Sequence, residues 1–270
     1  MSNETSIADL SSSRIRLRIS GADRVTFLHG QCTNDIRSLG VGKSCYGAFL
    51  DVKGKLRGEG HIVCLADSFL LETNPSLQIS LEKYIVTEDV IIENVSASWG
   101  EWLVIGKPAT LPERGMSFTH PLGLGLICAE QQTATLTDEE VEVIRVEEGV
   151  PSWGVDMDEN TIPIEAGLEA RAISYTKGCY IGQETIARIK TYGHVNRRLV
   201  QLSVINDQLP VKGDRILWGD KDIGQITSAV RSLRLGKTLA LGYVRREFAT
   251  EGVKLTVNQY SAEVLKLCGQ

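Results

Sequence analysis

Residues 177–184 read Lys-Gly-Cys-Tyr-Ile-Gly-Gln-Glu and carry the residue types best suited to chemistry in this chain. Ile186 and Ile189 fall on one stripe of a helix expected from Gly182 to about Tyr192, which sets Cys179 just before a helix N-terminus. Partial positive charge there, with Lys177 two residues away, favours thiolate over thiol and makes Cys179 the candidate catalytic residue. Gly178 and Gly182 leave backbone amides open to an approaching ligand. A packed, inert thiol before a helix is common, and the residues alone fit that reading too, with Tyr180 and the glycines as core and turn.

Other reactive constellations are missing. The six cysteines, Cys32, Cys45, Cys64, Cys128, Cys179 and Cys268, are too far apart in sequence for a CxxC redox motif or a zinc knuckle, and they suit a reduced compartment. His29, His61, His120 and His194 show no H-E-x-x-H spacing, and His29 with Cys32 is an isolated pair, so structural or surface histidines and no metal are expected. No G-x-S-x-G elbow suggests a serine nucleophile.

Composition narrows the functional class. With 270 residues, 42% hydrophobic and 23% charged, the chain can bury one large core or several smaller ones. Its 26 glycines against 7 prolines point to many tight turns and much antiparallel sheet. A net charge of −5 offers no global field for a phosphate backbone, so no direct nucleic-acid partner is expected, though local arginines, lysines or helix N-termini can hold a small anion. The start, Met1–Leu10, has neither a basic nor an apolar leader segment, and no apolar run approaches a bilayer span; the expected address is the cytoplasm, with no membrane contact.

The elements that must position the 177–184 segment read as follows. Residues 14–19 alternate charged and aliphatic, the signature of a half-buried strand. A short helix is expected over Gly21–His29 with Ser20 as N-cap, and a second from Thr33 to Gly40, with Asn34-Asp35 as a helix-start feature. Strands are expected at Tyr46–Leu50, Gly60–Leu65 and Phe69–Glu72, with Lys53-Gly54-Lys55 and Ala66-Asp67-Ser68 as turns. A helix after Pro75 follows, then strands at Val90–Val95 and Trp102–Ile105. Thr137-Asp138-Glu139-Glu140 is a capping box opening a helix that stops at Gly149 before Pro151. From Arg197 the chain turns to short alternating strands at Leu199–Val204, Arg215–Trp218, Ile223–Val230, Ala240–Val244 and Lys254–Val257, which predicts a small antiparallel β-barrel or sandwich. The boundary falls near Asn196, giving regions 1–195 and 196–270.

The 177–184 segment resembles the K-G-C-[FY]-x-G-Q-E signature of the YgfZ family, relatives of the glycine-cleavage T-protein, followed by Ala187-Arg188. Gly21-Ala22-Asp23-Arg24 with Phe27-Leu28 and Thr33-Asn34-Asp35-Ile36 resemble the family's opening. Arg145–Gly149 with Pro163-Ile164-Glu165 resemble its middle, and Gly224-Gln225-Ile226-Thr227-Ser228 and Leu241-Gly242-Tyr243-Val244 its barrel. The resemblance implies an α+β fold: a T-protein-like, three-lobed folate-binding region, then a small C-terminal antiparallel β-barrel. It implies a tetrahydrofolate-type ligand and a role supporting iron–sulfur enzymes or assembly factors, including enzymes that modify tRNA.

Three departures from T-proteins argue against glycine cleavage itself. The aspartate pair expected after Gly54 falls at Gly58 and Glu59, a G-Y-T-G-E-D-G-like segment is missing between Trp102 and Glu130, and Val141 stands where T-proteins place an arginine four residues before Arg145. Ligand contacts are expected from Asn74, Arg145, Glu165, Lys177, Gly178, Tyr180, Gly182, Gln183 and Glu184. Asn74 before Pro75 is equally suited to start a turn, Arg145 to pair with Glu148, and Glu165 to cap local backbone. The leading function is folate binding with Cys179 acting at the ligand or on a partner's cluster. Its rivals are a one-carbon transferase with Glu59 or Glu184 as base, and an interaction scaffold with a vestigial site.

Overall fold

A computed structural model describes residues 5–106, 112, 115–205 and 208–269; Met1–Glu4, on which part of the leader expectation falls, lie outside the described residues. The chain forms two compact units that interleave in sequence. Residues 1–138 with 171–187 make the first, and residues 139–170 with 188–270 the second. The expected boundary near Asn196 is close to the first barrel strand, but residues 139–170 group with the barrel.

The first unit contains β1 (Ser6–Asp9), β2 (Ile15–Ser20), α1 (Arg24–Gln31), β3 (Ser44–Leu50), β4 (Leu56–Cys64), β5 (Phe69–Thr73), α2 (Ser76–Glu82), β6 (Ile91–Asn94), β7 (Gly100–Ile105), β8 (Met116–His120) and β9 (Gly123–Cys128). One sheet runs β3-β4-β5-β2-β6 and a second runs β1-β7-β9-β8. Leu17, Ile19, Ile62 and Leu71 point from the larger sheet to a core shared with Phe27 and Leu28 of α1 and Leu77 and Leu81 of α2. Val63 and Leu70, on the other face, pack against Phe118 and Ile127 of the smaller sheet. The larger sheet is therefore covered on both faces.

That double cover corrects the reading of residues 14–19. Their charged positions were expected to face solvent, but Arg16 is 1% exposed. Its guanidinium donates to the carbonyls of Ser11, Arg14, Ser96 and Trp99. The helix at 21–29 also starts later than expected, because Gly21 takes φ +103, and no side chain caps Arg24–Gln31. No helix forms over 33–40. The Thr33 hydroxyl bridges the Ala172 carbonyl and the Ala48 amide, Asn34 Nδ2 reaches the carbonyls of Tyr46 and Arg171, and Asp35 Oδ1 receives the Arg37 amide. Side chains suited to a helix start are instead spent on turn and tertiary bonds.

After α3 (Asp138–Glu148), α4 (Glu169–Ala172) and α5 (Gln183–Tyr192) come β10 (Arg197–Val204), β11 (Arg215–Trp218), β12 (Lys221–Ser232), β13 (Lys237–Arg245), β14 (Lys254–Val257) and β15 (Tyr260–Leu267). These six strands close into an antiparallel barrel in the order β10-β13-β12-β11-β14-β15. The last was not foreseen, and it completes the closure against β10. Val200, Leu202, Ile216, Ile226, Val244 and Val264 fill the interior. Leu199, Leu241 and Tyr243 point outward beneath Val146 of α3. The helix stops as expected: Gly149 takes φ +71, its amide bonds Val146, and the Val150 amide reaches back to Arg145, a Schellman motif. Among the described residues, no helix is long and apolar enough to cross a membrane.

Asp156, 3% exposed, ties this unit together. One oxygen receives Thr227 Oγ1 at 2.5 Å and Ser228 Oγ at 2.8 Å; the other receives Arg145 Nη1 at 2.6 Å and the Ser152 amide at 3.0 Å. Replacing it removes one of the two carboxylates that neutralise the buried Arg145. Asp156→Ala is expected to lower unfolding stability by about 3–5 kcal/mol, read from urea denaturation; a loss under about 1 kcal/mol refutes this accounting.

Candidate functional site

The Lys177–Glu184 segment is irregular up to Tyr180 and is anchored by side chains and backbone of the first unit. Lys177 Nζ donates to the carbonyls of His29 at 2.6 Å, Cys32 at 2.5 Å and Asn34 at 2.9 Å. A helix leaves its last carbonyls unpaired and its C-terminus partly negative, so an ammonium with three protons suits the end of α1. Burial lowers the pKa of this lysine, against the pull of neighbouring negative groups. The Ile181 amide then bonds the Gly30 carbonyl, and Ser174 bonds Thr33.

Two glycines permit the next crossing. Gly182 takes φ +81, and a Cβ there would lie 2.5 Å from the Asp51 carbonyl oxygen. Gly54, in the β3–β4 turn at φ +79, faces Thr185, whose Cβ would be 2.8 Å from an added methyl. These contacts deliver Gln183 and Glu184 to the first turn of α5, with Glu184 exposed. Cys179 is exposed, four residues before Gln183, while Lys177 is buried in its carbonyl cage. Gly178 is open, its nearest neighbour being His29 Nε2, 3.8 Å from where a Cβ would sit. Tyr180 is buried, its ring 5.1 Å from Lys177 Nζ, and burial pushes its phenol up to about 12.

Asn74 is buried at the end of β5, donating from Nδ2 to Ser76 Oγ at 2.7 Å, with Thr73 Oγ1 3.3 Å from its Oδ1. Its amide oxygen lies 2.4 Å from where a Cβ on Gly58 would stand, and Leu77 Cβ lies 3.1 Å from the same point. Asn74 thus occupies the space that a side chain at position 58 would need. Neighbouring Glu59 is 4% exposed and paired with Arg14 Nη1 at 2.5 Å, so its carboxylate is committed.

Arg14 also holds Glu72, whose other oxygen is 3.0 Å from His61 Nδ1. Register makes this inevitable, since His61 stands directly opposite Glu72 across β4 and β5. Burial alone would raise the Glu72 carboxyl, but Arg14 and His61 hold it well below the usual carboxylate range. His61 stacks on Phe118 at 4.1 Å and sits 5.8 Å from His120. Tyr46 lies beside His61, and Arg171 covers the Tyr46 ring at 4.5 Å. Burial and the Glu59 charge keep the Tyr46 phenol protonated. Sequence reading did not find this inter-sheet network. The one available signal was the acid and base inside adjacent apolar strand runs, Gly60-His61-Ile62 and Leu71-Glu72-Thr73.

Arg145 and Glu165 belong to the second unit. The Arg145 guanidinium bonds Glu142 through Nε at 2.8 Å and Nη2 at 2.5 Å, and Asp156 and the Val150 carbonyl through Nη1. Its helix partner is thus Glu142, three residues earlier, and not the expected Glu148. Glu165 is buried, receives Arg197 Nε at 2.9 Å, and lines a pocket beside the barrel. No group of three or more His, Cys, Asp or Glu side chains suited to a metal occurs among the described residues.

Comparison with known proteins matches residues 197–268 to the glycine cleavage T-protein C-terminal barrel domain. An uncharacterised protein of Haemophilus influenzae is 30% identical over 238 residues, covering 79% of this chain and 81% of that protein. A putative chloroplastic transferase of Arabidopsis thaliana is 28% identical over 90% of this chain and 66% of its own length. An aminomethyltransferase of Thermosynechococcus vestitus is 37% identical over 43% of this chain, a match spanning only 31% of that enzyme. The crystal structure of the glycine cleavage aminomethyltransferase T from Bartonella henselae superposes with TM-score 0.80 at 18% identity, covering 97% of this chain and 85% of that one.

The network makes acid lability a testable property. Burial, aided by the His61 charge, pushes His120 down to about 3. A histidine depressed in the folded state contributes stability that is complete above its unfolded pKa near 6.5 and is lost as pH falls towards the folded value. Glu72, also depressed, acts in the same direction at lower pH. His120→Asn is expected to remove on the order of 1–2 kcal/mol of the stability difference between pH 7.5 and pH 5. Denaturant titrations at the two pH values check this, and an undiminished difference in the variant rejects the assignment.

Proposed function

The chain belongs to the YgfZ-type family of glycine-cleavage T-protein relatives, and from that membership we propose that it binds a tetrahydrofolate-type ligand without transferring a one-carbon unit. The observation that carries the reading is the state of positions 58 and 59. Gly58 has no side chain, the space is filled by Asn74, and Glu59 is neutralised by Arg14. Neither position offers a free carboxylate to accept a proton.

The residues present fit such a ligand. Arg171 stacks on Tyr46 while its buried Nε has no hydrogen-bond partner among the described residues. A guanidinium donor beside an aromatic face suits a planar heterocycle with acceptor groups. Asn74 and the Lys177–Glu184 segment, with its open Gly178, are the ligand contacts we propose in the first unit. Bound tetrahydrofolate supplies a carrier for one-carbon units. The chain's own contribution is to hold it, with Lys177 fixing the segment that carries Cys179.

We assign the exposed Cys179 thiol to the partner side of the function, the support of iron–sulfur enzymes or assembly factors, including tRNA-modifying enzymes. All six cysteines are free, which suits a reducing compartment such as the cytoplasm. The rival reading, folate-dependent one-carbon transfer, requires turnover.

Calorimetry with tetrahydrofolate and its 5-formyl derivative is expected to give a dissociation constant of about 1–100 µM, weakened about tenfold by Asn74→Ala. No consumption of a folate derivative with amine or lipoyl acceptors is expected. Absence of binding at about 1 mM removes the proposal, and measurable turnover moves the protein to the transferase class. In a strain lacking the protein, Cys179→Ala is expected to leave iron–sulfur enzyme activity unrestored; full restoration separates the thiol from the function.

A further inference from the structure

A groove on the first unit lies between two walls that are fastened at both ends and left open in the middle. One wall is a stripe of α1 and its entry, where Asp23, Phe27, Gly30 and Gln31 recur at helical spacing and so share a face. The other is the segment after α2, with Tyr84 and Glu88. At the start of α1 the Asp23 carboxylate receives the Asp89 amide at 2.9 Å, and the Asp23 amide donates to the Asp89 carbonyl at 3.1 Å. At its end Arg57 donates to Gln31 Oε1 at 2.7 Å and lies over the Tyr84 ring, 4.6 Å from the centroid. Between these clamps the walls bound about 310 Å³, at the lower end of the range of small-molecule sites.

The lining is anionic. No lysine, arginine or histidine among the described residues lines the groove, and the other nitrogens of nearby Arg57 are spent on the Leu50 carbonyl and on Ser80. Asp23 and Glu88 have no ion pair among the described residues, and the amides of Val86 and Thr87 hold the Glu88 carboxyl below its ordinary value. Two exposed acids alone would be ordinary surface, but Gln31 is not. It is 7% exposed, its oxygen is taken by Arg57, and its Nε2 has no acceptor among the described residues. A buried amide donor left without a partner is costly. Gly30 is a further sign, because an added Cβ would meet nothing within 4 Å and glycine weakens a helix. Neither crowding nor a left-handed backbone requires glycine there, while the missing side chain leaves room for a ligand.

We propose that this groove is a site for a small molecule carrying an ammonium group next to a neutral carbonyl, the chemistry of an amino-acid amide. Asp23 and Glu88 receive the ammonium, whose charge they balance. Gln31 Nε2 donates to the carbonyl, and Arg57 holds that amide in orientation before the ligand arrives. Phe27 and Tyr84 supply apolar contact for the carbon skeleton, over the open backbone of Gly30. A free carboxylate on the ligand would face two acids, so a neutral carbonyl is preferred. None of the lining residues takes part in the folate reading, so the two stand or fall separately.

The test is calorimetry on the full chain at low ionic strength and mildly acidic pH, with leucinamide as the probe. Saturable binding with a dissociation constant below about 1 mM is expected, weakened about tenfold or more for N-acetyl-leucinamide, which lacks the ammonium. Glu88→Gln removes a charge at an exposed position, and Gly30→Leu fills the groove with a better helix former. Each is expected to weaken leucinamide about tenfold or more and to melt no lower than the unmodified chain, which excludes misfolding as the cause. Two variants keep the test decisive if one of them does misfold. No binding of leucinamide at about 10 mM overturns the proposal, as does unchanged affinity in the folded variants or for the acetylated probe. Putrescine, which has ammonium groups and no carbonyl, is expected to bind more weakly; equal affinity overturns the role given to Gln31. Loss of tetrahydrofolate affinity in the same variants also overturns the proposal, by making the groove part of the folate site. Leucinamide binding in a protein that fails to bind tetrahydrofolate leaves this site standing while the folate reading falls.

Discussion

The bond set that the candidate site depends on is the ammonium of Lys177 shared among the carbonyls of His29 and Cys32 at the end of α1 and of Asn34 just beyond it. Those carbonyls have no further turn of helix to receive, and a buried ammonium without acceptors would be costly. Each problem solves the other, and the arrangement fixes the segment around Lys177 against the first unit. Cys179, two residues on, can then be exposed without being loosely held. The glycines at 54 and 182 permit the crossing over the β3–β4 turn, but they supply no attraction; the lysine does. The lysine's role therefore differs from the one its sequence position suggested. Its charge is turned towards helix carbonyls, so any activation of the thiol has to come chiefly from other groups.

The second unit uses a neutral version of the same device. Gln201 Nε2 donates to the carbonyls of Val146 and Glu147, closing the end of α3 against the barrel. In both units a side chain distant in sequence caps a helix C-terminus and so fixes a piece of tertiary structure. Such caps are invisible to local pattern reading, because the spacing between cap and helix, 145 residues from Cys32 to Lys177 and 55 from Val146 to Gln201, is set by the fold. The local stop signal at Gly149 was legible, because it depends only on a glycine in a left-handed conformation followed by a proline.

The same division explains what else could and could not be read. Barrel strands were recognisable because each has one face on a single interior, as with Leu202 and Val264, and alternation survives. The strand at residues 14–19 alternates just as cleanly, yet both of its faces are covered. Arg14 and Arg16 satisfy carboxylates and carbonyls on the covered face while Arg18 stays half-exposed against Asp67, so at the first two positions the pattern reported chemistry rather than solvent. Thr33 and Asn34 misled for a related reason: side chains able to start a helix are equally able to bridge strands. The Lys177–Glu184 segment was legible as a motif, while its environment was not. Asn74 shows this most clearly, since its relation to Gly58 is a matter of ångströms between two strands and leaves no trace in sequence spacing.

That relation bears on the proposed separation of folate binding from turnover in this chain. Restoring a carboxylate at position 58 is a coupled change, because the first atom of the new side chain would meet the Asn74 amide at 2.4 Å and the Leu77 Cβ at 3.1 Å. Glu59 is no simpler to release. Its partner Arg14 also neutralises Glu72, which in turn holds His61, so freeing Glu59 by removing Arg14 leaves the buried Glu72 without its guanidinium. Arg14, Glu59 and Glu72 are committed to one another, and a carboxylate held by a guanidinium is a poor proton acceptor. A site can in this way keep the recognition surface of a transferase while losing its base. The loss is then held in place by packing and charge balance rather than by the absence of a single residue.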